Sequence, residues 1–504
     1  MQGRTPVQAL LHELKEYRLD SAESKEIQRY YYKATKDNQD RLHTLFFAHP
    51  KSIEILKGNY DIILLDCTYK TNKFRMPLLH ITGVTCLNTS FEIAYCFLPN
   101  ERQPAYEVAM QALYNLFKTI NKSPRCFLTD KEGALKAALR IYWPNTPQRL
   151  CLWHLFNNVK THATQVWDIC HFETQAEKEE AQKTRDAFLS KIRKIQSTLT
   201  PREFWQEWDN LREIYDAQPR LLKYLEDEWL PCREEWANPW CKSIPDFGNS
   251  VTSRVEGLHT KLKSYLQVST GHLYDVLKHI DVLITNECQQ FIAELSRCHV
   301  RHHYSHKRVA ELQDLFYEIS PCALELLAQQ IKLAKDSTRN QPCTSSFSHK
   351  FGIPCAHNLS PRLHTTEGVL KIQPCEIDGH WHFKRAQSAL PTRSQEPRIQ
   401  DPAPIRPRGR PAGSTTREFS SSTRRELSQF EVVDLTQTQP QLGLNNVTPM
   451  PTQTHGDQGR AGAVQIRGQG RQQGRRGQGH QRGQGRQRGN TSDVPSSFLN
   501  EFQL

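Results

Sequence analysis

Asp61-Ile62-Ile63-Leu64-Leu65-Asp66-Cys67-Thr68 sets four aliphatic residues between two acids. A short apolar run rich in Ile and Leu predicts a buried strand. The acid closing it, Asp66, is then a charge at the end of a buried element, which is costly unless something coordinates it. Leu78–Cys86 and Phe91–Leu98 repeat the apolar pattern, with Asn88-Thr89-Ser90 as a turn between them. Residues 59–100 therefore predict an antiparallel meander of three strands. Tyr106, Met110, Leu113, Leu116, Phe117 and Ile120 then fall on one stripe of a helix over 103–121. Arg125-Cys126-Phe127-Leu128-Thr129-Asp130 predicts a fourth strand that also ends on an acid. A helix over 131–142 and a fifth strand or edge at Arg149-Leu150-Cys151-Leu152 follow. The order β-β-β-α-β-α-β predicts an α/β fold with a mixed sheet.

On either side of this core the pattern changes. Residues 1–58 read as helical, with Leu10, Leu11, Leu14 and Leu19 near helical spacing. Residues 154–245 read as all-helical, anchored by Trp167, Phe188, Phe204, Trp205, Trp208, Trp229 and Trp236, and residues 252–296 read as helical again. Residues 341–383 are rich in Cys and His. Beyond about 390 the composition turns to Pro, Gln, Arg, Ser and Gly, which predicts disorder.

The charge is basic, with 66 Lys+Arg against 54 Asp+Glu and a net +12 over 504 residues. Residues 391–504 carry 16 Arg against 9 acids, no lysine, and 14 of the 24 glycines. An excess held by arginine alone points to a polyanionic partner. No apolar run approaches the length of a membrane span. Met1-Gln2-Gly3-Arg4-Thr5-Pro6 has no apolar core of a secretory signal. The 14 cysteines are therefore expected in a reducing compartment as core thiols or metal ligands.

If strands one and four are neighbours, Asp66 and Asp130 meet. Two carboxylates side by side repel, and Mg²⁺, which prefers oxygen ligands, offsets that repulsion. A third acid on a helix would complete a two-metal site for phosphodiester chemistry. Glu256, in Thr252-Ser253-Arg254-Val255-Glu256-Gly257, opens a helix after the long helical stretch. Read as ordinary residues, Asp66 and Asp130 end strands and cap turns. Spacing alone leaves both readings open.

Asp61–Asn72, Phe127–Leu135, Cys151-Leu152-Trp153-His154 and Thr252–Gly257, in that order, resemble the transposase domain of Mutator-like elements (MULEs), whose relatives include the far-red-impaired-response proteins. The resemblance implies a ribonuclease H-like mixed sheet with a large helical insertion. It also implies an Asp66, Asp130, Glu256 triad with Mg²⁺ or Mn²⁺, and DNA cleavage followed by strand transfer in the nucleus. Cys151 and His154 match the family's Cys/His pair, with a structural role, a DNA-facing role or plain core packing all open. Lys70, Lys73 and Arg75 would lie near the first acid as phosphate contacts or as ordinary surface charges.

On this resemblance the chain divides into a helical region over 1–58, a transposase domain over 59–300 with its insertion at about 155–245, a helical connector over 301–340, a Cys/His module over 341–390 and the tail. Cys343, Cys355 and His357 resemble a degenerate SWIM-type zinc finger. Its fourth ligand is open among His349, Cys375 and His380. Cys298, His299, His302, His303 and His306 read as a basic face more than as a metal site. Arg406, Arg408, Gly409 and Arg410 resemble an AT-hook, whose slim Arg-Gly-Arg core suits a narrow A·T minor groove. Arg467–Gly489 suits non-specific nucleic-acid contact or a flexible linker. The partners expected are transposon ends, target DNA and a second copy of the chain, with no membrane. The alternative is a domesticated or truncated DNA-binding regulator that keeps the fold without the chemistry.

Overall fold

Seven strands form one mixed sheet: β1 (Tyr31–Lys36), β2 (Leu42–Ala48), β3 (Ile62–Thr68), β4 (Leu78–Val84), β5 (Ser90–Phe97), β6 (Cys126–Thr129) and β7 (Gln148–Leu150). Their order is β1-β2-β5-β4-β3-β6-β7. β3 is the hinge of the topology, antiparallel to β4 on one side and parallel to β6 on the other. The structure is a computed structural model and describes residues 3–16, 30–167, 174–250, 253–266, 271–300, 309–336, 343–363 and 370–388, all within a unit ending at Pro402.

The helices are α1 (Pro6–Glu16), α2 (Pro50–Gly58), α3 (Gln103–Thr119), α4 (Gly133–Tyr142), α5 (Leu152–Val166), α6 (Gln175–Ser197), α7 (Pro201–Ile214), α8 (Pro219–Tyr224), α9 (Asn238–Cys241), α10 (Ser253–Leu266), α11 (Leu273–Val300), α12 (Pro321–Lys335), α13 (Ser346–Phe351), α14 (Ala356–Leu363) and α15 (Phe383–Gln387). Strand alternation sorts the core onto two faces. Ile63, Leu65 and Phe127 pack under α3 and α4, through residues such as Leu113 and Leu139. Ile62, Leu64 and Leu128 pack under α12 and α14, against Leu327, Ile331 and Leu359. α5 to α9 bury a core of their own, with Phe188, Phe204, Trp208, Trp229 and Trp236 at its centre. The α/β class with a helical insertion is thus the observed architecture.

Residues 1–58 depart from the helical expectation, since β1 and β2 lie between α1 and α2. Tyr31 and Tyr32, and Leu45, Phe46 and Phe47, are types that favour the half-buried surface of a sheet. The turn between the strands is written in Asp37-Asn38-Gln39-Asp40. Asp37 Oδ1 accepts from the amides of Gln39 and Arg41, both at 2.9 Å, and Asp40 takes φ 58°. β2 pairs with β5 at Leu45–Phe97, and Phe47 stacks on Tyr95 at 5.7 Å, so this hairpin widens the meander.

A charged latch ties residues 370–388 to the start of β3. Asp61 is buried, and its Oδ2 meets His380 Nδ1 at 3.0 Å and Arg385 Nη2. Arg125 bridges to Asp378 at 2.7 Å. Burial alone would raise the Asp61 carboxyl, but His380 and Arg385 outweigh it and bring it to about 2. A depressed carboxylate stabilises the fold above its unfolded pKa and loses that contribution as pH falls through the folded value. The latch is therefore expected to contribute about 2 kcal/mol at neutral pH, lost between about pH 4 and pH 2. Melting curves of wild type and Asp61→Asn should be well separated at pH 7 and converge near pH 2; a pH-independent gap would contradict the account.

Candidate active site and metal centre

The pairing of β3 with β6 runs Ile62–Cys126, Ile63–Phe127, Leu64–Leu128 and Leu65–Thr129. Asp66 and Asp130 are each the next residue after the last shared rung, Leu65–Thr129. Ile62 and Leu64 share a face with Leu128, and the two-residue repeat carries Asp66, still within β3, onto that same face. Asp66 is 8% exposed. Asp130 is half-buried, and its Oδ1 accepts from the Glu132 amide at 3.1 Å. Burial pushes the Asp130 carboxyl above its usual value and Glu101 adds to this, while His154, the Glu132 amide and Lys136 pull the other way. Glu256 lies in α10, but its side chain falls outside the described residues, as do those of residues 253–255.

Cys151 and His154 both act at the end of β6. The Cys151 amide donates to the Thr129 carbonyl at 2.8 Å, and its buried Sγ caps α5 by accepting from the His154 amide at 3.5 Å. His154 thereby stands in the first turn of α5, among the groups that lower the Asp130 carboxyl. The cysteine is thus a helix cap.

Four polar residues that the sequence reading passed over lie behind Asp66. His259 of α10, three positions after 256 and so on the same side of the helix, brings Nδ1 to 3.9 Å from Asp66 Oδ2. Its ring stacks on His80 at 5.2 Å. His80 sits across from Asp66 on β4, contacts Glu92 through Nε2 and stacks on Tyr95 at 4.6 Å. Glu287 of α11 is tied to Lys261 at 2.8 Å. Burial pushes both histidines down to about 3, Glu92 up to about 8 and Glu287 up to about 7. Burial thus disfavours the charged form of each of these four groups. The signal was present in the sequence as a His inside Leu78-Leu79-His80-Ile81 and a Glu inside Phe91-Glu92-Ile93, each expensive to bury without a partner. A further carboxylate, Glu101, accepts from Tyr69 Oη at 2.7 Å and from Tyr106 Oη at 3.3 Å.

β3 runs directly into the basic loop. Lys70, Lys73 and Arg75 are all exposed, with Lys70 and Arg75 in left-handed backbone at φ 60° and 56°.

A second centre is built at α13 and α14. The ligand atoms of Cys343, Cys355 and His357 lie within 4.8 Å of one another, and the two sulfurs are 3.7 Å apart. Two thiolates on a tetrahedral zinc with Zn–S near 2.3 Å stand about 3.8 Å apart, so the pair fits that ion. Burial of Cys343 works against ionisation, but hydrogen bonds with Ser345 and Cys355 outweigh it and lower its thiol. His380 is turned away from this group, with Nδ1 on Asp61. Of the more N-terminal Cys/His group, Cys298 packs half-buried on the core. His302, His303, His306 and the side chain of His299 lie outside the described residues. So do Arg406, Arg408, Gly409 and Arg410.

Residues 62–158 match the model of the MULE transposase domain. The chain carries a MULE transposase domain. The matched span takes in Asp66, Asp130, Cys151 and His154 and stops before Glu256. Among similar proteins, the PKS-NRPS hybrid synthetase cheA of Chaetomium globosum is 23% identical over 405 residues, 74% of this chain and 8% of that protein. Protein FAR-RED IMPAIRED RESPONSE 1 of Arabidopsis thaliana is 22% identical over 286 residues, 55% of this chain and 31% of that protein. Protein FAR1-RELATED SEQUENCE 5, also of Arabidopsis thaliana, is 21% identical over 272 residues, 53% of this chain and 30% of that protein. The MULE-domain chain thus spans less than a third of the length of these relatives. Among the described residues no helix is long and apolar enough to cross a membrane.

Proposed function

We propose that this chain is a Mutator-like DNA transposase that cleaves DNA and transfers the freed strand, with Asp66, Asp130 and Glu256 as its acidic triad. The observation that supports the reading is the parallel pairing of β3 with β6, whose last shared rung, Leu65–Thr129, is followed in each chain segment by an acid. Divalent ions, Mg²⁺ or Mn²⁺, held by these carboxylates would supply the activation of water and the neutralisation of charge that phosphodiester cleavage needs. The chain's own groups do the rest. Asp66 and Asp130 fix the position of the scissile phosphate's surroundings from a rigid sheet. His259 and His154 support the two carboxylates from α10 and α5. Lys70, Lys73 and Arg75 meet the phosphate backbone beside them. Zinc held by Cys343, Cys355 and His357 would brace the module packed on the other end of that face.

The same reading gives the chain a nuclear place of work, two DNA ends as partners and a second copy to hold them. The AT-hook-like Arg406-Pro407-Arg408-Gly409-Arg410 and the arginine-rich repeats add phosphate and minor-groove contacts. The full chain, incubated with Mn²⁺ and DNA fragments flanking its own coding sequence, is expected to nick them and join the 3′ ends to a plasmid. Ending the chain at residue 390 is expected to flatten the salt dependence of DNA affinity, since each neutralised phosphate contributes roughly 0.9 to the log–log slope; an unchanged slope would remove the tail from the interface. Similarity to a protein named for a far-red response favours a second reading, a transposase-derived DNA-binding regulator. Tight DNA binding with no nicking in either metal selects it.

A further inference from the structure

The loop that leaves β3 combines three features. It is basic, with Tyr69-Lys70-Thr71-Asn72-Lys73-Phe74-Arg75 holding three cations and no acid. It displays aromatic rings, with Tyr69 51% and Phe74 48% exposed. It is also rigid. Asn72 is buried, accepts from the amides of Phe74 at 3.1 Å and Met76 at 3.2 Å, and donates to the Met76 carbonyl at 2.8 Å. The Lys73 amide donates to the Gly271 carbonyl at 3.0 Å, which ties the loop to the start of α11. Lys70 and Arg75 are held in left-handed backbone, a conformation that costs free energy for such residues and persists only where the surroundings enforce it. Tyr69 is engaged through its hydroxyl with Glu101. Phe74 is left presenting its ring, with His272 at its edge 6.3 Å away and the Lys73 ammonium 5.0 Å from its centroid.

We propose that Phe74 is a stacking platform for an unpaired DNA base beside the acidic pair, with Lys73 and Arg75 on the flanking phosphates. Rigid aromatics set among cations bind single-stranded nucleic acid by stacking on a base face. A paired base inside a duplex has both faces covered, so the ligand is a base out of the helix. The position follows from chain connectivity, since the loop begins directly after β3, which carries Asp66. This inference rests on the DNA reading above and adds that the DNA is locally opened at the site.

The test uses the full chain without added Mg²⁺ or Mn²⁺, so that no cleavage occurs, and three oligonucleotide probes carrying 2-aminopurine: single-stranded, fully paired, and paired except for one unpaired 2-aminopurine. Wild type is expected to quench the two unpaired probes, as stacking does. Phe74→Ala is expected to lose that quenching and about ten-fold in affinity for the unpaired probes, with duplex affinity within about two-fold. Phe74→Trp should restore both, and Phe74→Leu, which keeps apolar bulk without a π face, should not. Equal binding of the unpaired probes by wild type and Phe74→Ala overturns the proposal. So does an equal loss on all three probes, or rescue by leucine. A chain that stacks the base but never nicks DNA in Mn²⁺ would remove the transposase reading and leave this one standing. Normal nicking with no Phe74 effect does the reverse.

Discussion

Asp66→Asn is expected to end strand cleavage while leaving the fold intact. Asparagine has the shape of aspartate, and the pairing of β3 with β4 and β6 is made by main chain, so the register survives the change. What is lost is the negative charge that the proposed metal site needs, at the residue that follows the last rung shared by β3 and β6. A charged metal ligand cannot be replaced by a neutral amide at small cost. Even groups one shell out from a metal are worth roughly 10–100-fold, so the loss at Asp66 should exceed about 100-fold. Two measurements separate this from misfolding. Without added Mn²⁺ the variant should melt near wild type, and it should lack the upward shift expected of wild type on adding Mn²⁺, since only a folded state that binds the ion is stabilised by it. Asp130→Asn should behave in the same way. Undiminished nicking by either variant would remove both acids from the chemistry.

The acid pair was legible in the sequence because it depends on local signals. Four aliphatic residues mark β3, a second short run marks β6, and each run is followed by an acid within one position of the strand's last rungs. The neighbouring polar groups were not legible for a different reason. His80, Glu92, His259 and Glu287 come from β4, β5, α10 and α11, and only tertiary packing brings them behind Asp66. The N-terminal hairpin was misread because leucine spacing in residues 10–19 was extended across Tyr30–Tyr32 and Leu45–Phe47. The tyrosines and phenylalanines among them favour strands; β1 pairs with β2, and β2 finds its other partner in β5, more than forty residues downstream. The latch on Asp61 has the same character. Its acid opens the very run that decides the fold, yet its partners His380 and Arg385 lie over 300 residues away.

Removing Cys355, a proposed zinc ligand, is expected to produce the largest loss of stability. Cys355 is buried at the start of α14, its sulfur 3.7 Å from that of Cys343, while a disulfide would need about 2.05 Å. The pair is therefore spaced for a shared ion, with His357 two residues further on. The surrounding module is small. Phe351, Ile353, Leu359, Ile372 and Trp381 form one side of its core, and Ile62, Leu64 and Leu128 of the sheet form the other. A module this size leans on its metal, and structural zinc in comparable sites contributes on the order of 10 kcal/mol to folding. Here the sheet shares the burden, so the expected cost is several kcal/mol and not complete unfolding. Elemental analysis of the full chain should find one zinc, and Cys355→Ser should abolish it and lower the melting temperature by well over 5 °C. Chelation of wild type should reproduce the shift, and chelation of the variant should add nothing. A wild type that purifies without zinc, or a variant that retains it, would refute the centre. Because Ile62 and Leu64 share their face with Asp66, the loosened module should also weaken Mn²⁺ binding at the acids, an effect that a zinc site remote from the sheet would not have.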